Sequence, residues 1–270
     1  DFIIMKSDGL PTYNFACVID DWLMGITHVI RADEHLSNTP RQMMLYRALG
    51  APLPKFAHVP MILAPDRSKL SKRHGAQTVE EFRDKGYLPE AIVNYIALLG
   101  WTPPDATQEF MTLEEMIELF DLSRVSSTAA VYDVQKLTWM NGQYIKRLDP
   151  EDLMERVIPF VEAAGLATRQ ELEARKDWFR QAVITMQERA KTLEELAHYM
   201  AFYFKPPETY DEKGVNKHFA KPGVAGLLEK CVEVLSRMPE WTIEACDQAY
   251  TELAEKEGVS RGKLIHPTRL

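Results

Sequence analysis

Strand-like segments stop early in this chain, and that limits its fold more than any other feature. Phe2-Ile3-Ile4-Met5, "THVIR" (27–31) and "HVPMIL" (58–63) read as three short buried strands, and none follows. Two helix patterns separate them. "TYNFACVIDDWLMG" is predicted to end near Gly25, and "NTPRQMMLYRALG" has Asn38 or Thr39 as N-cap, Pro40 at the first helical position and Gly50 at its end. Short apolar strands alternating with helices predict βαβ units in a parallel sheet. Three strands are too few for a free-standing doubly wound domain, so this region reads as the second half of one.

From residue 78 onward the pattern is helical. Thr-x-x-Glu capping boxes are expected at Thr78/Glu81, Thr112/Glu115, Thr168/Glu171 and Thr192/Glu195. "PEAIVNYIALLG" places Ile92, Ile96 and Leu99 on one helical face, and Asp149-Pro150 opens a helix closed by Gly165. Val224, Leu227, Leu228, Cys231, Leu235 and Met238 follow helical spacing, and Thr242 caps a helix ending at Gly258. Residues 204–223 are expected to be an irregular polar loop. The predicted class is therefore α/β followed by all-α.

Length and composition fit two or three small domains: 270 residues, 46% hydrophobic and 27% charged. No apolar run is long enough to cross a membrane, so no membrane partner is expected. Cys17, Cys231 and Cys246 are odd in number and far apart, which argues against a disulfide framework and fits a reducing cytosol. No Cys/His cluster has zinc spacing, so no structural metal is predicted. The chain opens on "DFIIM" and closes on "GKLIHPTRL", and reads as a piece of a longer protein.

A net charge of −8 argues against loose nucleic-acid binding but leaves room for local basic patches. Residues 66–75 carry four Lys/Arg against one Asp; Lys213, Lys217 and Lys221 form a second acid-free run, and Arg261, Lys263 and Arg269 a third. The first, "APDRSKLSKRHGAQ", follows the last strand, where ligands of open α/β folds collect. Two ammonium groups three residues apart, Lys69 and Lys72, with the Ser71 hydroxyl beside the second, suit a polyphosphate that gains charge during reaction. A solvated basic turn is the plain alternative.

"KLSKR" at 69–73 resembles the KMSKS loop of class I aminoacyl-tRNA synthetases. "SDGLPTYNFACVIDDWLMGITHVIRADEHLSNTPRQ" and "KLSKRHGAQTVEEFRDKGYLPEAIVNYIALLGW" resemble the glutamyl-tRNA synthetase catalytic domain, and "SSTAAVYDVQKLTWMNGQYI" its junction with the anticodon-binding region. The resemblance implies half of a Rossmann-type catalytic domain over 1–63, a stem-contact segment over 64–148 and an α-helical anticodon-binding domain over 149–270. It implies a cytoplasmic, monomeric ligase that activates L-glutamate with ATP and Mg²⁺ and transfers it to tRNA(Glu). On its terms this stretch alone lacks the ATP-binding first half and is inactive by itself.

Residue by residue, the resemblance implies that Lys72 meets the ATP phosphates while Lys69 and Ser71 shape the loop. It implies that Met61 and Ile62 lie on the strand whose backbone contacts adenine. Tyr13 and Arg31 match glutamate-pocket positions, where a guanidinium fork suits a side-chain carboxylate; for Arg31 the alternative is a surface ion pair with Asp33 or Glu34. Cys17 and His35 match pocket positions where relatives often carry Asn and Trp, and Cys17 also reads as a small buried hydrophobe. Lys136, Lys146 and Arg147 are candidates for the tRNA backbone, and Arg189 for reading the anticodon, each against a plain solvated helix face. Three rivals remain. Glutaminyl-tRNA synthetase carries β-barrels where this chain has capped helices, and the shorter glutamyl-queuosine relative lacks an anticodon domain. The third is a non-catalytic tRNA-binding paralogue or fragment.

Overall fold

A computed structural model describes residues 1–70, 78–207 and 209–270. The chain forms two compact units, Asp1–Phe204 and Lys205–Leu270.

The first unit begins with α1 (Tyr13–Leu23), β1 (His28–Ala32), α2 (Thr39–Leu49) and β2 (Lys55–Val59). The strands pair in parallel, with Arg31 opposite His58 and Ala32 opposite Val59. This is the βαβ unit that the sequence predicts, but two expectations fail. Residues 2–5 form no strand: only Met5 makes an isolated bridge, to Pro11. The turn at Asp8-Gly9, with Gly9 at φ +84°, folds the chain straight back, so Ile4 pairs with Thr12. The last strand is shifted toward the N-terminus, because Pro60 has no N–H to continue the ladder; Met61 and Ile62 therefore lie beyond β2. Val18, Leu45 and Tyr46 are the buried apolar residues between α1 and α2.

The helices that follow are α3 (Val79–Asp84), α4 (Pro89–Leu98), α5 (Leu113–Leu119), α6 (Val134–Arg147), α7 (Pro150–Ala163), α8 (Arg169–Ala174), α9 (Lys176–Gln187), α10 (Leu193–Tyr199) and α11 (Ala201–Phe204). The capping boxes of α3, α5 and α8 form in both directions. That of α10 forms in one: Thr192 accepts from the Glu195 amide, but Glu195 reaches one residue further back, to the Lys191 amide. On α4 the buried residues are Ala91, Asn94 and Tyr95, while Ile96 is exposed, because α6 packs against a neighbouring face.

The core gathers on α7, α9 and α10, where Leu153, Val157, Val161, Phe179, Val183 and Leu196 are buried. Buried amides lock it. Asn141 accepts from the Leu88 amide at 2.8 Å and donates to the Lys191 carbonyl at 2.6 Å. Gln187 donates to the Ile145 and Leu148 carbonyls, both at 2.9 Å, and so closes the end of α6.

The second unit contains α12 (Glu212–Gly214), α13 (Val224–Ser236), α14 (Ile243–Glu257) and α15 (Gly262–Thr268). Cys231, Tyr250, Leu253, Ala254 and Leu264 form its core. The expected loop over 204–223 is partly helical: α12 runs into a π-turn at Val215–Phe219, started by Asp211, which accepts from the Gly214 amide.

Candidate active site

Strand alternation divides the sheet chemically. Arg31 and His58 stand side by side on one face, and Ala32 and Val59 on the other. On the polar face, Arg31 Nη2 donates to Thr39 Oγ1 and to Gln42 Oε1, each at 2.7 Å. Its guanidinium lies 5.6 Å from the Phe56 ring centroid. Arg31 Nε is buried without a hydrogen-bond partner, and Arg31 forms no ion pair among the described residues. Glu34 pairs instead with Lys69, at 2.7 Å, and Lys69 holds its carboxyl below the usual carboxylate range. An arginine held by neutral partners keeps its full charge for another anion.

Tyr13 and His35 meet beside it, Tyr13 Oη lying 3.2 Å from His35 Nδ1. Burial raises the Tyr13 pKa; Cys17 acts in the same direction and Arg31 opposes both. The expected pocket residues Tyr13, Cys17, Arg31 and His35 therefore come together. The residues expected to cap α2 also turn toward this site: Asn38 Nδ2 lies 3.3 Å from His35 Nδ1, and Thr39 Oγ1 lies 2.9 Å from His58 Nε2. Sequence reasoning missed Asn14, Thr39, Gln42 and His58. Gln42 is buried and donates to Asn14 Oδ1 at 3.1 Å, joining α1 to α2. The available signals were the i, i+3 spacing of Thr39 and Gln42 and the register partner of Arg31.

Ala32 and Val59 line a largely apolar cavity of about 420 Å³, with Met61, Ile62 and Trp101; Glu34 and Lys69 stand at its wall. The expected adenine-side residues and Lys69 are thus neighbours here. The approach to the basic loop is a tight turn in which Asp66 Oδ1 accepts from the Ser68 amide and hydroxyl. Arg67 occupies the left-handed region at φ 63°, an unusual conformation for a side-chain-bearing residue. Ser71 and Lys72 lie outside the described residues.

The expected tRNA contacts are spread over α6 and the turn that follows α9. Lys136 pairs with Glu109 at 2.7 Å and Lys146 with Glu188 at 3.2 Å. The Arg147 guanidinium lies 3.9 Å from the Phe110 ring centroid. Arg189 is exposed and forms no ion pair among the described residues.

A parallel βαβ unit followed by helices gives the fold class, and likeness to known families decides which member of that class it is. The family description "tRNA synthetases class I (E and Q), catalytic domain" matches residues 1–139, and "Anticodon binding domain" matches 152–270. The chain belongs to the class I tRNA synthetase family. It is 53% identical over 270 residues to the glutamate–tRNA ligase of Moorella thermoacetica, covering all of this chain and 55% of that protein. It is 54% identical to glutamate–tRNA ligase 1 of Caldanaerobacter subterraneus, with the same coverage. A crystal structure of a glutamate tRNA ligase from Elizabethkingia meningosepticum in complex with its amino acid superposes with a TM-score of 0.84 at 33% identity, over all of this chain and 56% of that one. The chain thus spans about half the length of the relatives it matches.

Proposed function

We propose that this chain forms part of a glutamate–tRNA ligase, which joins glutamate to ATP as glutamyl-adenylate and passes the glutamyl group to the 3′ end of tRNA(Glu). The observation that carries the reading is Arg31: a guanidinium held by Thr39 and Gln42, without a carboxylate among the described residues, beside Tyr13, Cys17 and His35. A glutamate side-chain carboxylate would supply the missing counter-charge, and glutamine would not. The names of the relatives support the same substrate.

In this proposal adenine enters the apolar cavity beside Met61 and Ile62, and Lys72 meets the phosphates as pyrophosphate leaves. Lys69 and Ser71 shape the loop around it. Among the described residues no three His, Cys, Asp or Glu side chains are grouped to hold a metal ion. In the proposal Mg²⁺ would be held mainly through the substrate's phosphates and would supply charge neutralisation there. Lys136, Lys146, Arg147 and Arg189 contact tRNA; the first two exchange a carboxylate partner for phosphate. The division at residues 64 and 149, a monomeric state and a cytoplasmic location belong to the same proposal.

The test is ATP–pyrophosphate exchange by a protein of the relatives' full length that contains these residues. Lys72→Ala should slow adenylate formation about 10²-fold or more with little change in the KM for glutamate. Arg31→Gln should act mainly through the KM for glutamate. Near-normal exchange in the lysine variant, or an unchanged glutamate KM in the arginine variant, would refute the assignment.

A further inference from the structure

Two of the basic runs that are far apart in sequence line one cavity in the Lys205–Leu270 unit. Its volume is about 780 Å³. Lys217, His218 and Lys221 line one part of it, and Lys263 and His266, on α15, another. Among the described residues none of these three lysines forms an ion pair. Lys230, on α13, also lines the cavity and is paired with Glu257, its acidic lining residue on α14. The first turn of α13 lines it too. That helix starts on Gly223 with no side-chain cap and no acidic residue in its first turn, so its amides add to the positive potential.

The His218 and His266 rings stack, with centroids 5.2 Å apart. Desolvation, the neighbouring His266, and Lys217 and Lys221 together hold His218 below the ordinary imidazole value. Lysines that repel a proton from an imidazole will also attract an anion, and a bound anion removes the cost of protonating that imidazole.

We infer that this cavity is a binding site for phosphate groups, and that binding is accompanied by proton uptake at His218. Ammonium groups and a helix N-terminus beside one concavity are the recognition chemistry of a phosphate. His218, once protonated, adds a further donor. Affinity therefore rises as the pH falls from the His218 midpoint of the bound state toward the lower midpoint of the free state. The phosphate source is either an RNA backbone, which rests on the tRNA reading above, or a small phosphate.

The test is an NMR pH titration of the whole 270-residue chain labelled at histidine, with His218 assigned through His218→Gln. It is run alone, with pyrophosphate, and with a short RNA hairpin. Phosphate binding should move the His218 midpoint upward by about half a pH unit or more. The Lys217→Ala/Lys263→Ala double variant should weaken binding of the responding ligand roughly tenfold and lower an RNA salt slope by about 1 to 2. Its far-UV circular dichroism should be unchanged, and Lys263→Arg should retain binding. A response to pyrophosphate alone supports the cavity and assigns it to a small phosphate. RNA binding that leaves His218 unmoved overturns the cavity while the tRNA reading stands. No movement of His218 in either arm, or undiminished binding by the double variant, also overturns it.

Discussion

The sheet side and the helical side of the first unit are packed very differently. Among the described residues the buried apolar cluster between α1 and α2 has three members, whereas the cluster centred on α7, α9 and α10 has eighteen. Large side chains remain exposed on the sheet side, among them Ile3, Leu23, Met24 and Ile30. The sheet side is held instead by a polar network: Arg31 to Thr39 and Gln42, Gln42 to Asn14, Thr39 to His58. The contrast separates two tasks. Dense apolar packing fixes the helices, while the site is positioned by hydrogen bonds that leave one cation uncompensated. Two strands by themselves bury little and are marginal in water.

The contrast can be tested at four levels of effect. Leu196→Ala, at a fully buried position of the helical cluster, is expected to cost about 2–5 kcal/mol. Leu45→Ala should fall at or below the low end of that range, because its small cluster can relax. Chemical denaturation of both variants would measure this, and equal losses would abolish the distinction. Gly86→Ala belongs near the top as well. Gly86 sits at φ +77°, and a Cβ there would lie 2.6 Å from the Leu193 amide nitrogen, so both strain and a backbone clash apply. A native-like denaturation midpoint would show that the α3–α10 contact is looser than its geometry.

Hydrogen exchange gives a second comparison. Amides of β1 and β2 should exchange before those of α7 and α9, since protection follows buried contacts. The reverse order would mean that the polar network is the more stable element. A smaller effect is expected at the caps: Thr168→Ala should cost about 1 kcal/mol, measured by the same denaturation. The smallest is a pH dependence. Hydrogen bonds from the Thr168 amide and hydroxyl hold the Glu171 carboxyl below its usual range. A lowered folded-state pKa contributes stability that is present above the unfolded value, about 4.3, and is lost as the pH falls through the folded one. Thr168→Val should therefore reduce the acid sensitivity of α8, read by NMR of its amides.

Much of this architecture was legible from local chemistry. The Thr78, Thr112 and Thr168 boxes form as the sequence predicts because a cap involves only residues three apart. Gly50, Gly165 and Gly258 end their helices in the left-handed region for the same local reason. Pro60 was a local signal too, and it explains the early end of β2. The polar site was only partly legible. Tyr13, Cys17, Arg31 and His35 were named through family resemblance, whereas Thr39 and Gln42 read as an ordinary helix start. Thr39 looked like a cap because the groups that take its side chain, Arg31 and His58, are eight and nineteen residues away.

What the sequence determined by itself is the succession of a βαβ unit and then helices, several of them capped by their own threonines. Periodicity and caps act over one or two helical turns, so they are written locally. What only the tertiary structure decided is which polar groups meet. Strand register sets Arg31 beside His58, α2 brings Gln42 to Arg31, and the fold of the second unit places Lys217 and Lys263 around one cavity. These meetings depend on packing between elements distant in the chain, and that free energy belongs to no single segment.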